Sequence, residues 1–186
     1  MTTTLHLETA RLLLRPFKDR DRAPFAAMNA DPAVMHYFAS TYTPEESDQH
    51  ITRYQLQLAR DGFSFLAATH IQTGDFLGII GMQTMYIAVP NLPQPAVELG
   101  WRLAAHAHGQ GYATEGAQAF ADQARQLHLP SIVAITTPDN LASQNVMRKL
   151  GMLPRPELTF DHPLIAPGHP RRQHVLYSLE LTQPCA

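Results

Sequence analysis

Cysteine is almost missing from these 186 residues: the single one, Cys185, stands next to the C-terminal Ala186. An intrachain disulfide, a thiolate cluster and a buried cysteine nucleophile are thereby excluded, and a reducing compartment fits. An excess of one charge is missing too. Fourteen Lys and Arg against sixteen Asp and Glu give a net charge of −2, so no broad field draws the chain to nucleic acid or to an anionic membrane, and neither is expected as a partner. No run reaches the roughly 18 apolar residues of a membrane span. The opening Met1-Thr2-Thr3-Thr4-Leu5-His6 lacks the basic-then-apolar order of a targeting segment, and the expectation is a cytoplasmic protein. Internal repeats and low-complexity tracts are also lacking. What is there is ordinary for a globular chain: 45% hydrophobic and 16% charged residues, with one Trp, eight Phe and six Tyr. At 20.7 kDa it can bury a core without metal or disulfide support. One domain over residues 1–186 is expected, with 181–186 as a flexible tail.

Patterning places the elements. Residues 5–17 are Leu-rich and stop at Pro16, which cannot donate to a ladder, so they read as a first strand. Asp19 offers an N-cap for a short helix to about Met28, and Pro44-Glu45-Glu46-Ser47 opens a longer one to about Arg60, stopped by Asp61-Gly62. The apolar runs 63–69 and 76–85 flank Thr73-Gly74-Asp75 as a hairpin. After a proline loop, 96–103 reads as a strand, 113–128 as a helix, 131–137 as a β-branched strand, and 140–150 as a helix closed by Gly151. Residues 155–172 hold four prolines, Gly168 and two His, and read as extended or mobile before a last strand at 174–181.

The strand at 96–103 runs into His108-Gly109-Gln110-Gly111-Tyr112-Ala113, directly ahead of a helix. Small residues let the backbone turn with several N–H groups inward, and a helix N-terminus adds about half a positive charge, so this turn suits a pyrophosphate. Many glycine-bearing turns are only turns, and the two glycines alone do not decide the matter.

At full length the segment resembles the pyrophosphate motif of the GNAT N-acetyltransferases, Gln/Arg-x-x-Gly-x-Gly/Ala, with Gly111 and Ala113 in the small positions. Gly-Gln-Gly-Tyr-Ala-Thr-Glu at 109–115 is similar in particular to the RimJ/RimL-like branch of ribosomal-protein alanine and serine acetyltransferases. The opening Leu-Glu-Thr-Ala-Arg-Leu-Leu-Leu-Arg-Pro-Phe at 7–17, Glu98-Leu99-Gly100-Trp101, and Asn-Leu-Ala-Ser-Gln-Asn-Val-Met-Arg-Lys-Leu-Gly at 140–151 match the same branch in order. His108 departs from the motif's usual first residue. The cradle works mainly through amides, so the site is expected to survive, with the His108 side chain on the surface.

The resemblance implies an α/β fold: a central, mixed, mostly antiparallel sheet of six to seven strands between helices, with a splayed parallel pair, 96–103 and 131–137, forming the cleft for acetyl-coenzyme A. It implies transfer of an acetyl group by direct attack of a primary amine, on a protein N-terminus or a small molecule, in a ternary complex. Coenzyme contacts are then expected from His108, Gly109, Gln110, Gly111, Tyr112, Ala113 and Thr114, and from an N–H near Leu103 on the thioester oxygen. Ser143 takes the family's place for protonating the thiolate. Asn140 lies one helical turn from it and Asn145 on an adjoining face, as further coenzyme contacts; Asn140 is equally an ordinary N-cap.

Glu98 is the candidate general base, because a carboxylate in an apolar strand has its pKa pushed up toward that of a useful base. An ion-paired, structural glutamate is the equal alternative. Five residues, about 16 Å of strand at about 3.3 Å each, separate it from Leu103, so a water chain or a bulge must shorten the path. Glu115, opening a helix where negative charge is favoured, reads as structural. Phe25, Met28, Met35, Tyr37, Phe38 and Tyr42 would line the acceptor pocket by family analogy, though most read as core. The ten His contain no His-x3-His pair with a carboxylate, and no metal is expected. A homodimer is compatible with this reading. A nucleotide-binding protein lacks the Lys-Ser/Thr that should follow the turn, while a catalytically idle coenzyme A-binding module differs from an enzyme only by assay.

Overall fold

The computed structural model describes residues 5–181; residues 182–186 of the expected tail, Cys185 among them, and the first four residues lie outside them, while Leu181 N–H donates to Pro130 O at 2.9 Å. Nine strands form the sheet system: β1 (Leu7–Glu8), β2 (Leu12–Arg15), β3 (Phe65–His70), β4 (Phe76–Thr84), β5 (Val97–Leu103), β6 (Ser131–Thr136), β7 (Leu153–Pro154), β8 (Phe160–Asp161) and β9 (Gln173–Glu180). Their order is β1-β2-β3-β4-β5-β6-β9-β7, with β8 beside β9. Every neighbouring pair is antiparallel except β5 and β6. Three of the nine strands are two residues long, so the sheet rests on the six longer ones.

Period-two alternation in the central strands explains the layers. Leu66 and Ala68 on β3 and Ile80 on β4 join Phe120 and Ala124 of helix α3 (Tyr112–Gln126) and Met147 of α4 (Leu141–Lys149). Their neighbours Phe65, Ala67 and Ile79 meet Phe25 and Met28 of α1 (Arg22–Ala30) and Ile51 and Tyr54 of α2 (Pro44–Asp61) on the opposite face. Both faces are buried, which is why β3 and β4 read as continuous apolar runs. Helix α3 lies close to the sheet because Gly116 has no Cβ: one placed there would come within 2.4 Å of Ile80 Cδ1.

Two boundaries differ from the sequence expectation. Residues 5–17 are two strands, not one: Thr9 N–H donates to Leu12 O at 2.9 Å and folds β1 back onto β2. The carboxylate at the start of α1 that does the work is Asp21, not Asp19. Asp21 accepts from Lys18 N–H at 2.7 Å and from both terminal nitrogens of Arg15 at 2.6 and 2.9 Å. Burial pushes its pKa up, but these bonds and the Arg15 charge outweigh that and hold it below the ordinary value. The expected start of α2 is found as read, with Thr43 Oγ1 accepting from Glu46 N–H at 3.2 Å, Pro44 in the first turn, and Gly62 closing the helix at φ 78°.

The segment 155–172 is not a free extended loop. It carries a turn of 3-10 helix (Pro156–Leu158) and strand β8. Leu158 and Phe160 cover Val133 and Leu176. Arg172 Nη1 donates to Ile165 O at 2.7 Å and its Nε to Asp161 at 3.0 Å. Such side-chain ties leave no mark in a proline-rich string.

Candidate functional site

At the end of β5 a 3-10 turn (Ala105–Ala107) leads into the glycine turn. Gly109 has φ 75° and Gly111 φ 84°, the left-handed region where a side chain is strained. The first helical bond of α3 runs from Glu115 N to Gly111 O, so the N–H groups of Tyr112, Ala113 and Thr114 have no acceptor within the helix. Three free donors and the positive end of a 15-residue helix converge on one spot, which is what a pyrophosphate requires. The Tyr112 side chain is buried in the core, so its contribution there is its N–H. Gln110 Nε2 donates to His106 O at 2.7 Å and steadies the turn from outside.

Residues 9–11 brace this turn, a role that sequence reasoning missed. Glu115 accepts from Thr9 Oγ1 at 2.6 Å, Arg11 N–H at 2.8 Å and Arg11 Nε at 2.7 Å. Burial raises the Glu115 pKa, and these bonds with the Arg11 charge more than reverse that. Arg11 Nη1 also donates to Gln110 O at 3.0 Å, and its guanidinium lies 4.5 Å from the centre of the Tyr112 ring. The structural reading of Glu115 therefore stands, with its partners now named.

Strands β5 and β6 are in register at a single position, Glu98 opposite Val133. Beyond it β5 stays with β4 through Leu103, while β6 follows β9. The two therefore part, and a cleft opens between them toward the glycine turn. Ala104 N–H goes to Leu77 O on the β4 side. Alternation then aims the amides of Trp101 and Leu103 into the cleft, where no strand meets them. His108 Nε2 lies 2.9 Å from Leu103 O, so this side chain is not merely on the surface. It closes the turn back onto the strand that opens the cleft.

Glu98 faces the α1/α2 side and belongs to a polar relay: Ser64 Oγ donates to Gln57 Oε1 at 3.4 Å, Gln57 Nε2 to Gln83 Oε1 at 3.3 Å, and Gln83 Nε2 to Glu98 Oε2 at 2.9 Å. Burial pushes the Glu98 carboxyl above its usual pKa, opposed by the Gln83 hydrogen bond and the Arg53 charge. The β4–β5 register is continuous from Val97 to Leu103, so β5 has no bulge to shorten the path to Leu103. Trp101 offers a nearer amide, three residues from Glu98, about 10 Å of strand.

Across the cleft, Asn140 Oδ1 accepts from Ser143 N–H at 3.1 Å and its Nδ2 donates to Thr136 Oγ1 at 2.9 Å, so its capping role is realised. Ser143 is half-buried, in the first turn of α4. Asn145 is exposed and accepts from Arg148 at 2.8 Å. Two residues on from Ser143, it lies about 200° around the helix, and the structure does not bring the two together on one face.

Phe25 and Met28 are core, and Met35 is buried against Arg102. Tyr42 stacks on His50 at 4.7 Å, beside Arg53, whose Nη2 lies 2.7 Å from His50 Nδ1. Burial and the charges of Arg53 and Arg102 lower the His50 pKa to about 4, so this imidazole is neutral at neutral pH. Arg171, from the 155–172 segment, bonds Asp139 ahead of α4, lies 3.2 Å from His36 Nε2, and sits 5.3 Å from the Tyr37 ring. One side chain thus joins the α4 side of the cleft to the α1–α2 loop. The polar partners Gln57, Arg53 and His50 were not found from sequence, since on α2 they look like an ordinary solvated face, nor was Gln83, a polar residue near the end of the apolar strand β4. Among the described residues no three His, Cys, Asp or Glu side chains are grouped to hold a metal, and no helix is long and apolar enough to cross a membrane.

Comparison with known proteins bears on this geometry. The family model of the acetyltransferase (GNAT) domain matches residues 11–153. Bacillus subtilis YkkB, described as uncharacterized, is 31% identical over 154 residues, covering 82% of this chain and 87% of its own. An acetyltransferase from Agrobacterium tumefaciens superposes with a TM-score of 0.76 at 25% identity, covering 97% of this chain and 96% of its own. RimL, a ribosomal L7/L12 α-N-protein acetyltransferase solved in complex with coenzyme A, shares the fold with a TM-score of 0.72 at 16% identity, covering 95% of this chain and 98% of its own.

Proposed function

Because the chain belongs to the GNAT acetyltransferases, we propose that it moves an acetyl group from acetyl-coenzyme A to a primary amine, within the RimJ/RimL-like branch, by direct attack in a ternary complex. The observation that carries this is the parting of β5 from β6 after one paired position, with a glycine turn and three free helical N–H groups at its end.

The residues present fit the co-substrate. The amides of residues 109–114 would hold the pyrophosphate, with Arg11 and His108 holding the turn itself. The Trp101 and Leu103 amides point where the thioester oxygen gains negative charge as the amine attacks the carbonyl carbon. An ammonium has no lone pair, so the acceptor must first lose a proton. Glu98 takes it through water, since about 10 Å of strand rules out direct contact. The nitrogen–carbon bond forms, the carbon–sulfur bond breaks, and Ser143 donates a hydrogen bond or a proton to the departing thiolate. The amide and coenzyme A leave.

Incubation with acetyl-coenzyme A and a panel of amines and N-terminal peptides, following free thiol, tests the reading. Release of thiol with an acetylated product is expected for at least one class. Binding of coenzyme A by calorimetry without turnover of any acceptor would favour an idle binding module instead.

A further inference from the structure

Arg102 on β5 is 8% exposed, nearly as buried as Arg15 at 5%. The two form a control pair. Arg15 is gripped by Asp21 through bonds of 2.6 and 2.9 Å. Arg102 has instead the Met35 sulfur at 3.2 Å and the rings of Phe38, Tyr42 and Phe25 at 4.9, 5.4 and 5.9 Å. Its buried Nε meets no acceptor, as is also true of Arg15, so the difference between the two lies in the missing carboxylate. Rings attract a cation but are no counter-charge, and a buried guanidinium without one is costly.

Arg53 repeats the pattern beside it. Its Nε is also buried without an acceptor, and the rings of Tyr86 and Tyr54 lie 5.2 and 5.3 Å away. Among the described residues neither arginine forms an ion pair with a carboxylate. Tyr42, His50 and Arg53, with Glu46 and Gln49, line a depression of about 350 Å³, and Arg102 lies behind Tyr42. The carboxylate on that rim, Glu46, is occupied by Thr43 N–H at 2.8 Å, and Glu98 by Gln83 at 2.9 Å. Among the described residues the acceptor side thus carries two guanidinium groups without a salt-bridged carboxylate, the Arg53 charge reaching Glu98 only at longer range, and a bare ammonium would meet them as like charges.

We propose that the acceptor carries a carboxylate besides its amine, and that Arg53 and Arg102 bind this carboxylate while the amine is presented toward Glu98. The guanidinium fork matches a carboxylate bidentately. This rests on the amine-acceptor reading above and narrows it.

The test compares kcat/KM for free α-amino acids with that for their carboxamides, in the wild type and in Arg102→Met. A parallel arm uses N-terminal peptides with Asp or Glu at the second position against Asn or Gln, which separates a free amino acid from an acidic peptide. In one arm the carboxylate is expected to win by at least about tenfold, and the ratio to fall toward one in Arg102→Met. A second readout needs no acetyl transfer: titration with acetate through hexanoate, followed by the fluorescence of Trp101, the only tryptophan and the neighbour of Arg102. Saturable binding lost in Arg102→Met is expected. The variant should be at least as stable as the wild type, whereas Arg15→Met should be destabilised by stranding Asp21.

Equal rates for carboxylate and carboxamide overturn the inference and leave acetyl transfer standing. Arg102-dependent binding of hexanoate without turnover of any amine overturns acetyl transfer and leaves the carboxylate site standing. Absence of both overturns both. If Arg102→Met loses stability as Arg15→Met does, with the substrate ratio unchanged, the guanidinium is a packing strut and the proposal is wrong. Should that variant fail to fold, Arg53→Gln carries the same comparison.

Discussion

On the α3 side of the cleft, the proposed recognition rests on the backbone: Gly109 and Gly111 at positive φ, and the amides of residues 112–114. On the α2 side it rests on side chains, with Tyr42, His50, Arg53 and Arg102 packed ring to cation and Glu98 held through Gln83. The difference follows from what each side must hold. A pyrophosphate is the same in every reaction of this kind, and amides aimed by a turn suffice for it. An acceptor is particular, and only side chains can be particular. Damage on the first side should therefore remove coenzyme binding whatever the acceptor, and damage on the second should spare it.

The largest expected effect is on the backbone side. Gly111→Val places a β-branched residue at φ 84° with its Cβ 3.4 Å from Arg11 Nη2, so the turn must rearrange. Calorimetry should find coenzyme A affinity reduced by about 100-fold or more, in a protein whose circular dichroism is unchanged. Unchanged affinity in the folded variant would place the cradle elsewhere.

Glu98→Gln asks the converse question of the side-chain side. Turnover should fall by roughly 100-fold near neutral pH, within the usual worth of a general base, with coenzyme A affinity unchanged. Burial raises the Glu98 pKa, so the ionised form that accepts a proton gains ground at higher pH than for an ordinary glutamate. In the wild type the rising limb of kcat/KM should be displaced upward accordingly. In the variant that limb should be absent, and activity should recover only as the amine loses its own proton. A wild-type pH profile in Glu98→Gln would leave the residue as the end of a structural relay.

Ser143→Ala sits between the two sides and should have a smaller effect. A hydroxyl serving the departing sulfur acts as thiolate charge appears, so kcat should fall by about tenfold while coenzyme A affinity changes little. Equal losses in both would make Ser143 a binding residue.

The same contrast accounts for what was legible in the sequence. The main strand positions, the helix starts at Pro44 and after the glycine turn, and the turn itself were readable because periodicity, glycine and capping residues act locally, whereas the mixed sheet and its parallel pair came from the family resemblance. The two-stranded start was not readable because Thr9 and Leu12 close a tight turn inside a continuous Leu-rich run, and the role of Asp21 and the ties of Arg171 and Arg172 were not because each depends on a partner six or more residues away. Gln83 and Glu98 illustrate the limit. They are cross-strand neighbours by register, yet only the fold shows that Gln57 and Ser64 extend them into a chain. Arg53 and Arg102 were invisible for a related reason: an arginine without a carboxylate looks the same in sequence as one with it.

The smallest predicted effect tests whether the acceptor side is built to exclude a further positive charge. His50 stacks on Tyr42 and lies within hydrogen-bond reach of Arg53, and its pKa is lowered to about 4 from 6.5 by burial and by the charges of Arg53 and Arg102. At neutral pH the imidazole is uncharged in both the folded and the unfolded chain, and its contribution to stability is fully present. Below pH 6.5 the unfolded chain takes up a proton that the folded chain refuses, so stability falls as pH drops toward 4 and then levels off for this group. Half-exposed as the ring is, solvent screens much of the effect, and about 1 kcal/mol by pH 5 is a reasonable scale. His162 and His174, also lowered by burial, push the same way, so the quantity to measure is a difference. Urea unfolding of wild type and His50→Asn at pH 7.5, 6 and 5 should show the variant less stable at the top of this range, having lost the stacking and the Arg53 contact, and the gap closing as the pH falls. A gap that stays constant would mean that His50 titrates normally, and that a cation at that position is no burden to the acceptor side.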